Sequence, residues 1–76
     1  MSEPRFIRLS PTDNVVVAVD PISAGVEIVG TLARERVPRG HKMAIAAIAA
    51  NEPVRKYGQI IGFASKPIEP GEWVHE

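Results

Sequence analysis

The sequence predicts a small, mainly β domain of short strands with one short helix, and three observations lead there. Proline and glycine recur at close intervals, the runs between them are β-branched, and one tight corner is repeated. Pro11, Pro21, Gly25, Gly30, Pro38, Gly40, Pro53, Gly58, Gly62, Pro67, Pro70 and Gly71 leave little uninterrupted chain, which excludes long helices. The short runs suit a barrel-like or clip-like sheet.

Taken in order, the first strand is expected at Val15-Val16-Val17-Ala18-Val19, with Asp13 and Asp20 as turn formers at its ends. A second is expected at Val26-Glu27-Ile28-Val29. The alanine-dense stretch Met43 to Ala50 predicts the one helix, because alanine has the best helix propensity and Ile45 and Ile48 fall on one face. Asn51 supplies a left-handed stop and Pro53 forbids continuation. A strand or extended turn over Ala44 to Ile48 is the competing reading, since alanine fits either state. Further strands are expected at Gln59 to Ala64 and Glu72-Trp73-Val74.

The repeated corner has three copies: Ile22 to Ile28 around Gly25, Ile48 to Val54 around Asn51, and Ile68 to Val74 around Gly71. Each sets an apolar residue three before, and another three after, a Gly or Asn, the residues that best tolerate positive φ. The expected structure is three equivalent turns that each pin an apolar side chain on either flank. Pro21 and Pro67 impose extended backbone on the entry to two of them.

The chain of 76 residues reads as one domain, residues 1–76, with 45% hydrophobic and 24% charged residues. That composition is too apolar for a disordered tail, and no apolar run is long enough for a membrane span. Nine basic and nine acidic residues cancel without forming a one-sided basic face, so nucleic acid is not an expected partner. There is no cysteine, and the segment Met1 to Pro11 carries Glu3, Arg5 and Arg8 with no apolar signal core. The expectation is a cytoplasmic protein. Imidazole chemistry rests on two residues, His41 and His75. His41 lies in the cluster Pro38-Arg39-Gly40-His41-Lys42-Met43, at the predicted entry to the helix, where free backbone N–H groups favour an anion. An exposed loop with solvated cations is the plainer alternative.

Arg39-Gly40-His41-Lys42, the corner Ile48 to Val54, the run Lys56-Tyr57-Gly58-Gln59-Ile60-Ile61-Gly62-Phe63-Ala64 and the ending Ile68 to His75 stand in this order. The order resembles the small N-terminal SAF domain of the altronate and galactarate dehydratase family, a β-clip fold. It is also similar to the small subunit of sulfolactate sulfo-lyase and, distantly, to the antifreeze-like domain of sialic acid synthases. Two departures stand out. The family's last strand typically runs into a His-x-His-Asn pattern, whereas here Glu76 follows His75, and Asn51 stands where the corner usually has glycine. The first departure suggests either a piece cut before a linker to a large domain or a free-standing small subunit.

The resemblance implies part of a hydro-lyase that removes water from a sugar acid such as altronate or galactarate, inactive alone and completed by a large catalytic domain or subunit. It implies a divalent metal, iron or manganese, bound mainly by that large part. Elimination beside a carboxylate needs a base for the acidic α-proton and an acid for the departing hydroxyl. On this reading His41 and Lys42 are the catalytic candidates, Arg39, Lys56 and Tyr57 contact substrate, and His75 is a metal ligand. The alternatives are that Lys56-Tyr57-Gly58 is a strand-to-turn junction and His75 a frayed end. Trp73, Phe63 and Phe6 are read as core or as the patch that meets the large domain. Rival functions are a non-catalytic binding or assembly module, with a homodimer among its forms, and the small subunit of a sulfolactate sulfo-lyase.

Overall fold

The computed structural model describes residues 3–75. Eight short strands follow one another: β1 (Phe6–Ile7), β2 (Val15–Ala18), β3 (Glu27–Ile28), β4 (Thr31–Leu32), β5 (Lys42–Ala44), β6 (Pro53–Lys56), β7 (Gln59–Phe63) and β8 (Trp73–Val74). One antiparallel sheet has the order β1-β2-β5-β8, and β3-β4 and β6-β7 form two separate hairpins. The mainly β expectation holds, but no helix forms among the described residues. Met43 and Ala44 instead pair with Val16 and Val15 of β2, and Ile48 bridges Ile68. Alanine's preference for helix is a few tenths of a kcal/mol per residue, too weak to outweigh ladder bonds and two buried side chains.

The corner is built as the spacing predicts, and the structure adds a fourth copy at Val37 to Met43. Gly25, Gly40, Asn51 and Gly71 have φ of 89°, 81°, 69° and 91°. Each is the third residue of a turn closed by an N–H donated three residues back: Val26 to Ser23, His41 to Pro38, Glu52 to Ala49 and Glu72 to Glu69, at 3.0–3.2 Å. This is the type II pattern, which demands positive φ at that position. Every corner also grips one buried alanine. The N–H of Gly25, Gly40, Asn51 and Gly71 donates to the carbonyl of Ala33, Ala18, Ala64 and Ala44, at 2.7–2.8 Å. The four alanine N–H groups return bonds of 2.9 Å to the carbonyls of Val26, His41, Glu52 and Glu72. The repeating unit is therefore longer than the corner: alanine, an apolar residue four later, Gly or Asn three after that, and an apolar residue three further on.

These units interlock in pairs. Ile22 and Val37 exchange backbone bonds of 2.9 and 2.8 Å, and Ile48 and Ile68 do the same at 2.9 and 2.8 Å. Two cores result. One holds Ala18, Ile22, Ile28, Ala33, Val37 and Met43 with Val16, and the other holds Ala44, Ile48, Val54, Ala64, Ile68 and Val74 with Val15. Successive side chains of a strand point to opposite faces, so adjacent Val15 and Val16, and adjacent Met43 and Ala44, serve different cores. The paired strands β2 and β5 are the wall between them, which is why β2 reads as an unbroken apolar run.

Asp13 and Asn14 attach the β6–β7 hairpin to the start of β2. Asp13, 3% exposed, accepts N–H bonds from Leu9 and Ser10 on one side and from Tyr57 and Gly58 on the other, at 2.7–3.3 Å. Asn14 bonds Pro53 and Arg55 through both ends of its amide.

Candidate functional site

His41 sits directly after Gly40 in the second corner, its carbonyl held by the Ala18 N–H at the far end of β2. With no helix there, the expected helix N-terminus beside it does not exist, and any anion would be met by side chains. The imidazole is exposed and lies edge-to-face on Trp73, with ring centroids 5.2 Å apart and planes at 84°. Trp73 in turn stacks on His75 at 4.1 Å and 29°. The register explains the meeting. Lys42 pairs with Val74 and Met43 with Trp73, so one step further out His41 and His75 stand on adjoining segments at the same end of the β5–β8 pair.

Trp73 thus links the chain's two histidines. It packs partly against the first core, its N–H donates to Glu35 Oε2 at 3.2 Å, and its indole Nε1 is buried with no acceptor among the described residues. Beside it runs a groove of about 530 Å³ lined by Glu35, Ser65, Lys66, Glu72, Trp73 and His75. Sequence reasoning treated Trp73 as core or docking patch, and the signal for its bridging place was its position two residues after a corner glycine, equivalent to Lys42 after Gly40.

Lys42 is half-buried on β5 beside His41, while Arg39 is exposed in the turn. The charge of Arg39 also reaches Asp20, whose carboxyl is held far below its ordinary value, first by the Arg5 guanidinium that hydrogen-bonds it at 2.9 Å. Lys56 and Tyr57 lie elsewhere. Tyr57 has φ 57° in a two-residue hairpin turn and donates its N–H to Asp13, and the Lys56 ammonium sits 5.1 Å above the Tyr57 ring. They belong to the Asp13 end of β2, whereas His41 belongs to the Ala18 end. The structure therefore gathers His41 and His75 around Trp73, with Arg39 in the same corner as His41. Lys42 pairs with Val74 and so lies on the other face of β5, and Lys56 and Tyr57 are at the far end of β2.

Chemically, an exposed imidazole in the same turn as a guanidinium can receive a carboxylate and exchange a proton. A metal shell is a different matter. Among the described residues no group of three His, Asp or Glu gathers to hold an ion, and a catalytic metal takes at least three protein ligands. His41 and His75 alone do not make that donor set.

The model of the altronate/galactarate dehydratase SAF domain matches residues 4–76. Over 74 residues the chain is 36% identical to a galactarate dehydratase (L-threo-forming) of Escherichia coli K12, covering 93% of this chain and 14% of that protein. It is 36% identical over 74 residues to an altronate dehydratase of Bacillus subtilis 168, covering 92% of this chain and 15% of that protein. A (2R)-sulfolactate sulfo-lyase subunit alpha of Chromohalobacter salexigens is 34% identical over 70 residues, covering 79% of this chain and 74% of the subunit. The chain thus spans about one seventh of the dehydratases it matches.

Proposed function

Because this chain belongs to the altronate/galactarate dehydratase SAF domain family, we propose that it is the small domain or subunit of a sugar-acid hydro-lyase, working with a separate large catalytic part. The observation that carries this reading is the match along residues 4–76 to a module that makes up only 14% or 15% of each dehydratase. The reaction is elimination of water from a hydroxy acid such as altronate or galactarate in the cytoplasm. No helix among the described residues is long and apolar enough to cross a membrane.

The corner Arg39 to Lys42 is the portion of the active site that this chain supplies. Arg39 neutralises the substrate carboxylate, which makes the neighbouring α-proton more acidic. Lys42, next to His41 in the chain but on the other face of β5, adds to this by reaching round the strand edge. His41 takes or returns a proton at its exposed imidazole, and Trp73 fixes the ring's direction through their edge-to-face contact. A divalent metal, iron or manganese, would supply a Lewis acid for the departing hydroxyl, and its ligands would belong mainly to the large part, with His75 as this chain's candidate donor. Lys56 and Tyr57 are remote from this corner and reach substrate only if the large part wraps around the Asp13 end as well.

Water elimination from altronate and galactarate, measured with the large part alone and after addition of this chain, tests the reading. A rise in turnover on mixing is expected. A large part that already works at full rate, with no gain, would leave the chain as a binding or assembly module. The sulfo-lyase reading is favoured by one observation, the 74% coverage of a subunit of similar size. Release of sulfite from sulfolactate by the same mixture, with no action on sugar acids, would select it.

A further inference from the structure

At five residues β7 is the longest strand, and it is apolar and uncovered. Ile60, Ile61 and Phe63 are 53%, 43% and 60% exposed, and no charged residue lies between Gln59 and Phe63. Its sheet has two strands, so the edge facing away from β6 pairs with no other strand among the described residues. Exposed edges are ordinarily blunted by lysine, proline, shortness or a bulge, and of these β7 has only the bulge at Ile61, where Val54 pairs with Gly62 and Arg55 with Ile60. Of the other outer strands, β1, β3, β4 and β8 have two residues each, and β6 has four but carries Pro53, Arg55 and Lys56.

The repeat shows that this hairpin exceeds what the fold requires. Residues 29–32 suffice to join the units ending at Ile28 and starting at Ala33, whereas residues 55–63 join the equivalent points Val54 and Ala64. The extra length is the outer part of β6–β7. It carries the apolar edge and adds nothing to either core, since the second core stops at Val54 and resumes at Ala64 and the first holds no residue of this hairpin.

We propose that β7 is a dimerisation edge, on which a second copy of this chain pairs antiparallel along Gln59–Phe63 and joins the two hairpins into one four-stranded sheet. A two-fold contact sets each residue type against the same short stretch of its copy, so an uncharged strand meets itself without repulsion. The formal net charge of zero adds no long-range barrier. The exposed parts of Ile60, Ile61 and Phe63, with Tyr57 and Leu9 beside them, offer on the order of 400 Å² per copy. A standard interface buries about 800 Å² per partner, so the dimer is concentration-dependent and not obligate. The hairpin is fixed at the Asp13 end of β2, which leaves His41, Trp73 and His75 open in the dimer.

Sedimentation of the full chain over a range of concentrations tests this independently of any enzymatic activity. Wild type should pass from monomer to dimer, and Ile60→Lys or Ile61→Lys should raise the dissociation constant at least about tenfold by placing like charges across the axis. Both side chains are already exposed, and the melting curve of each dilute variant confirms that it folds. Because the chain has no cysteine, Ile61→Cys gives a second readout: mild oxidation should trap a disulfide-linked dimer. Wild type that stays monomeric at its highest soluble concentration, or a dimer indifferent to both lysines, would overturn the proposal. So would a monomer whose binding to a large catalytic chain is lost in the lysine variants, which would assign β7 to that chain instead.

Discussion

Gly71 and Gly40 occupy equivalent corners with φ of 91° and 81°, yet their surroundings differ. A Cβ at Gly40 or Gly25 would meet nothing within 4 Å, whereas at Gly71 it would overlap the carbonyl oxygen of Leu32 and crowd Arg34. Gly40→Ala should therefore cost only the left-handed penalty, about 1–2 kcal/mol, while Gly71→Ala should cost more than that or abolish folding. Urea titration of the two variants checks this, and equal losses would contradict it. Asp13 gives a second test. Burial pushes its carboxyl up, but the N–H groups of Gly58, Tyr57, Ser10 and Leu9 outweigh burial and hold it below its ordinary value. A lowered carboxylate stabilises the fold above its unfolded-state value of about 3.9 and loses that contribution as pH falls through the folded-state value. The melting temperature of wild type should thus exceed that of Asp13→Asn at neutral pH, and the gap should close progressively below about pH 4. At sequence level Asp13 was legible as a turn former. Its bonds to Tyr57 and Gly58 were not, because they join residues far apart in the chain.

The interlocked corner is the element that organises everything else. Ile22 and Ile48 occupy the same place in the two halves, each buried and each bridged to a partner corner. Ile22→Ala and Ile48→Ala should cost similar amounts, about 2–5 kcal/mol each, in chemical denaturation. A large disparity would mean that the halves are alike in backbone only. Three corners were legible because isoleucine or valine at fixed distance from Gly or Asn is a strong local signal. The fourth escaped because Val37 to Met43 also contains the charged cluster that draws attention as chemistry. The alanines escaped because a small side chain has no hydrophobic signal, although its smallness lets two backbones exchange bonds. The helix expected over Met43 to Ala50 failed because two units abut at Met43-Ala44, which ties both residues into the ladder and starts the next corner at Ile48. Of the five alanines only Ala44 holds a place in the unit, and the others are exposed. Strands β1 and β4 are too short for any periodicity to mark them.

At the scale of the whole molecule, the radius of gyration of 11.3 Å is that of an ordinary compact domain of this length, although it holds two small cores and measures 38 × 22 × 20 Å. The chain makes up about one seventh of the dehydratases it matches, which is what the proposed completion of the site by a larger part rests on. The candidate site was half legible. The sequence marked His41, Lys42, Arg39 and His75, but only the β5–β8 register brings the two histidines to Trp73 and leaves Lys56 and Tyr57 at the other end of β2. The central claim is that His41 works chemically within the complete enzyme. Its side chain is exposed and its corner is held by backbone bonds, so His41→Ala should change stability by no more than about 0.5 kcal/mol. The decisive measurement is kcat for water elimination by the complete enzyme carrying His41→Ala: the account predicts a loss of about 10²–10⁴-fold at unchanged melting temperature, and wild-type turnover would contradict it.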